Sequence, residues 1–62
     1  MFRKDDLDAA FGELKSEWGE SPEFEQLSRQ LHLGIAYSDA GRSLGEEFDP
    51  RVTALIEKHK PE

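Results

Sequence analysis

Asp6, Asp8 and Glu17 stand at the first, third and twelfth places of a calcium-loop pattern, a spacing that lets carboxylates converge on a hard divalent cation. The fifth place is Ala10, which offers no side-chain ligand, and the sixth, where the loop needs a sharply turning glycine, is Phe11. The same stretch carries apolar residues at helical spacing, so these carboxylates read as a solvated helix surface. The two histidines, His32 and His59, lie far apart with no carboxylate or histidine partner at tight ligand spacing. Lysines flank His59 on both sides, which disfavours a bound cation. Serine-nucleophile motifs and a glycine-rich phosphate loop are absent, and with no cysteine there is neither a thiolate ligand nor a disulfide. A catalytic site also needs a pocket, which a chain of this size seldom encloses. These residues point to a protein that is not an enzyme and holds no metal or cofactor.

The elements that position these residues are legible from apolar spacing. From Ser21 to Gly41, Phe24, Leu27, Leu31 and Ile35 recur at three- and four-residue steps, and Leu33, Tyr37 and Ala40 form a second row on a neighbouring face. Ser21-Pro22-Glu23 is a helix start and Asp39-Ala40-Gly41 a helix stop, so a central helix over about 22–40 is predicted. Residues 31–37 also alternate at period two and could pair as a strand with 52–56. The unbroken stripe from Phe24 and the capped ends favour the helix. Before it, Leu7, Phe11, Leu14 and Trp18, with Ala10 beside them, predict an amphipathic helix over about 5–18, capped by Asp5 or Asp6 and ended near Gly19. Phe2 is expected to tuck against it. Gly12 within it marks either a close helix contact or a weak spot, and Gly34 in the central helix leaves room for a neighbour to approach.

Beyond Gly41, Ser43 and Glu46 have capping-box spacing, which would start a short helical turn at Leu44. Asp49-Pro50 opens a last helix over about 50–59, with Val52, Leu55, Ile56 and His59 on its apolar side. Leu44 and Phe48 are left to plug the end of the hairpin or to face a partner. The predicted fold is all-α: one small domain over residues 1–62, a helical hairpin plus a shorter C-terminal helix, with completion by a second copy left open because the central helix is apolar on two faces.

Composition narrows the function. The 62 residues lie near the lower size limit for independent folding, so marginal stability or a partner is expected. The net charge of −6, 35% charged residues and the lack of any long apolar run predict a cytoplasmic protein without a membrane segment. Residues 1–25 hold eight acids against three bases, so nearly all the net charge lies in that part of the chain. That argues against direct nucleic-acid binding there and favours a basic protein partner.

The segment Gly34-Ile35-Ala36-Tyr37-Ser38-Asp39-Ala40-Gly41-Arg42-Ser43-Leu44-Gly45-Glu46-Glu47-Phe48 resembles a pattern common in small bacterial antitoxins of toxin–antitoxin systems. In that pattern a helix ends in a Gly-x-Ala-x-x-x-Ala-Gly-Arg/Lys phrase, followed by a short turn with paired acids and one more helix. The resemblance covers about a quarter of the chain, and no ribbon-helix-helix or other DNA-binding segment precedes it. It implies a segment that wraps a small basic toxin and blocks its active surface.

The expected function is therefore an acidic protein-binding module that neutralises or regulates a basic partner. Its candidate contact residues are Asp5, Asp6, Asp8, Glu13, Glu17, Tyr37, Arg42, Leu44, Glu46, Glu47 and Phe48. Two alternatives stand beside it. One is an inhibitor encoded by a phage or mobile element, whose acids imitate phosphates on a nucleic-acid-binding enzyme. The other is a self-associating structural protein that buries the second row of its central helix in a homodimer.

Overall fold

A computed structural model describes residues 1–61 and contains three α-helices among them: α1 (Lys4–Trp18), α2 (Phe24–Asp39) and α3 (Pro50–His59). The helix predicted for 31–37 is present, and the strand alternative is not. The Cα radius of gyration is 10.7 Å. Compact chains of this length scale to about 10.6 Å, so the three helices close on one core.

Each helix end has a local cause. The Arg3 N–H donates to Asp6 Oδ2 at 3.1 Å, so Asp6 sits one turn inside α1 and satisfies the residue before the helix, where the sequence suggested an acid in the cap position itself. α2 begins two residues later than predicted. Ser21 Oγ accepts from Glu23 N–H at 3.1 Å and the Ser21 carbonyl from Phe24 N–H at 3.1 Å, which makes a separate turn of Ser21–Phe24 before the helix starts. At its far end Gly41 takes φ +76, and the N–H groups of Arg42 and Gly41 donate to the carbonyls of Tyr37 and Ser38 at 2.9 and 3.0 Å. This paired closure is the left-handed glycine stop read from the sequence. Gly19 ends α1 by another route: its φ is −58, and a side chain there would meet the Lys15 carbonyl. Asp49 caps α3, its Oδ1 accepting from Arg51 N–H at 2.8 Å, with Pro50 in the first turn.

The core is assembled from all three helices, the segment before α1 and the connection between α2 and α3: Phe2, Ala10, Leu14, Leu27, Leu31, Ile35, Phe48, Val52, Leu55 and Ile56. Leu7, Phe11, Trp18 and Phe24, read as core stripe members, are only partly buried at its edge. Phe2 is held in place by its own backbone, whose N–H donates to Asp39 Oδ1 at 2.8 Å at the C-terminal end of α2. This contact and the stacking of Phe11 on His32, centroids 4.4 Å apart, show that α1 and α2 run antiparallel.

α3 runs in the same direction as α2. Its start meets Glu23 through Arg51, its middle meets Gly34 through Ile56, and its end shares a cleft with Ser38 through Lys60. The connection 40–49 must therefore turn back along α2, and Phe48 and Leu44 bind it there. A Cβ at Gly34 would lie 2.5 Å from Ile56 Cδ1, 3.0 Å from Leu44 Cδ2 and 3.6 Å from Phe48 Cε1. The close approach suspected from the sequence is thus the α2–α3 contact. Gly12, by contrast, is exposed with no neighbour within 4 Å of its Cβ position, so it is a weak spot in α1.

These two glycines should respond oppositely to substitution. Gly12→Ala should stabilise by about 1 kcal/mol through helix propensity, raising the melting temperature by about 4–8 °C. Gly34→Val should cost about 1–3 kcal/mol, because its branches enter space held by Ile56 and Leu44. Thermal melts followed by circular dichroism compare the two directly.

Candidate partner-binding surface

The acids of α1 do not form one row. At about 100° per residue, Asp6, Glu13 and Glu17 fall along one flank, Asp8 on the opposite flank and Asp5 on the outer side. The calcium-loop spacing therefore spreads around a helix, and no group of three potential metal ligands gathers among the described residues. Glu13 is engaged within the molecule: its Oε1 accepts from Lys58 Nζ at 2.9 Å and lies 3.1 Å from His59 Nε2. Lys58 first, then His59, hold the Glu13 carboxyl below its ordinary range, and Glu13 in turn raises Lys58. An acid of α1 is thus folded onto the basic end of α3. Asp5, Asp8 and Glu17 remain exposed.

Arg51 forms a clasp that sequence reasoning missed. Its guanidinium donates to Asp49 through Nε at 2.9 Å and Nη2 at 2.8 Å, reaches Glu23 ahead of α2, and lies 4.5 Å from the centre of the Trp18 ring at the end of α1. One side chain therefore gathers an end of each helix. The bond from the Arg51 side chain is the main reason that the Asp49 carboxyl falls to about 2, aided by the Arg51 backbone N–H. Gln30 Oε1 accepts from Asp49 N–H at 2.7 Å and fixes the same corner to the middle of α2. The only sequence signal was the Asp-x-Arg spacing across a helix start, which does not specify Glu23 or Trp18.

The connection between α2 and α3 holds the other candidates. Tyr37, half-buried, meets Phe48 edge-on with centroids 5.4 Å apart, and the Arg42 guanidinium lies over the Tyr37 ring at 5.1 Å. Phe48 is 5% exposed, so it belongs to the core and is not available as a surface anchor in this state. Leu44 is half-buried against Gly34. Both residues thus pack against the side of α2 at Gly34, a place other than the end of the hairpin where plugging was expected. The helical turn expected from Ser43 and Glu46 does not form: 42–45 is irregular, followed by a turn in which Phe48 N–H donates to the Gly45 carbonyl at 3.2 Å. Glu46 and Glu47 are exposed and make no ion pair among the described residues.

The second row of α2 is divided by this arrangement. Tyr37 is covered by the connection, whereas Leu33 is 51% exposed and Ala40 is exposed beside the chain turn. A cleft of about 190 Å³ opens to solvent between α1 and α3, lined by Glu13, Glu17, Trp18, Arg51, Ala54, Leu55 and Lys58. No helix among the described residues is long and apolar enough to cross a membrane. Comparison with known proteins gives no match to a family model, a curated protein or a solved structure.

Asp49 and Glu13 fix the sign of the acid response. Each carboxyl titrates lower in the folded chain than in the unfolded one, so its contribution is present above the ordinary carboxylate range near pH 4 and is lost as pH falls through the lowered folded value, which for Asp49 is about 2. The melting temperature should therefore drop across that interval. Asp49→Asn should melt lower than wild type at pH 7 and show a shallower drop on acidification.

Proposed function

We propose that this chain is a small cytoplasmic protein-binding module that neutralises or regulates a basic protein partner, antitoxin-like, and that the connection between α2 and α3 makes the main contact. The observation that supports this reading is the different use of the acids. Glu13 and Glu23 are tied to Lys58 and Arg51. Glu46 and Glu47 face solvent without such partners among the described residues, in the same connection as Leu44 and as Arg42, which lies over the half-buried Tyr37. Opposite charge on a partner would steer encounter toward this edge, while Tyr37 and Leu44 supply adjacent apolar surface. Asp5, Asp8 and Glu17 widen the acidic surface on α1. Phosphate imitation by α1 has less support, because the helix turns Asp5, Asp6 and Asp8 in different directions.

A pull-down with the tagged chain from its native host at moderate salt, with stoichiometry determined, tests the reading. A stoichiometric small basic protein is expected. A nuclease or polymerase would overturn it in favour of nucleic-acid mimicry, and recovery of its own copies alone would overturn it in favour of self-assembly.

The contact surface has a separate test. Glu46→Lys combined with Glu47→Lys should weaken binding at least tenfold while leaving the melting temperature close to wild type, since neither side chain supports the core. Unchanged affinity would place the interface elsewhere. Phe48→Ala is unsuitable for locating contacts, because emptying this core position should cost about 3–5 kcal/mol and read out as unfolding.

A further inference from the structure

We draw no further inference here: the strongest candidate, the solvent-facing stripe of α2 where Leu33 is 51% exposed between Ala36 and Arg29, carries none because nothing in the structure shows what covers it.

Discussion

Ile56 brings its terminal methyl to 2.5 Å from the point where a side chain on Gly34 would begin, and the course of the chain after residue 40 depends on that proximity. With no side chain on α2 at this position, α3 can lie directly against the helix and bury Val52, Leu55 and Ile56 together with Leu27, Leu31 and Ile35. Leu44 and Phe48 enter the same space from the connection. One absent side chain thus serves two packing events, the seating of α3 and the anchoring of the segment that leads to it. A small chain without disulfides has few ways to fix a ten-residue connection, and two apolar anchors in one depression accomplish it.

Electrostatics supplies the second constraint. The first 25 residues are strongly acidic, and folding places Arg51 and Lys58 of α3 against Glu23 and Glu13 from that part of the chain. Ion pairs this exposed contribute little energy individually. Their effect is on arrangement: Arg51 reaches only where Trp18, Glu23 and Asp49 come together, so they favour the direction in which α3 lies. The same pairing leaves the surface acids unevenly distributed. Those facing α3 are paired with its bases, and those of the connection and the outer side of α1 face solvent without an ion-pair partner among the described residues.

This division changes the meaning of the residues singled out in the sequence. Glu13 and Phe48 looked equally suited to contact a partner, yet one ties two helices and the other fills the core. Glu46 and Glu47 stay exposed. Tyr37 lies between these classes, half-buried with its ring shared by Phe48 and Arg42. The connection is thus irregular and acidic at its surface while Leu44 and Phe48 anchor it from below.

Much of the fold was readable because its signals are local. The stripe Phe24, Leu27, Leu31 and Ile35, the Asp49-Pro50 start and the Gly41 stop act within a few residues, and each acts in the structure as its chemistry requires. Gly19 shows the limit: the stop lies where expected, but the crowding against the Lys15 carbonyl that explains the glycine is a contact that residue type alone does not reveal. Spacing alone could not separate a helical turn at Leu44 from an irregular segment, since that depended on Leu44 and Phe48 finding Gly34. The sequence by itself determined three amphipathic helices, the stop of α2, the start of α3 and an acidic surface. Only the tertiary structure decided that α3 runs alongside α2 in the same direction, that Arg51 joins the three helices, and which acids stay unpaired. Those outcomes depend on contacts between residues far apart in the chain, where reach and packing decide and local spacing has no influence.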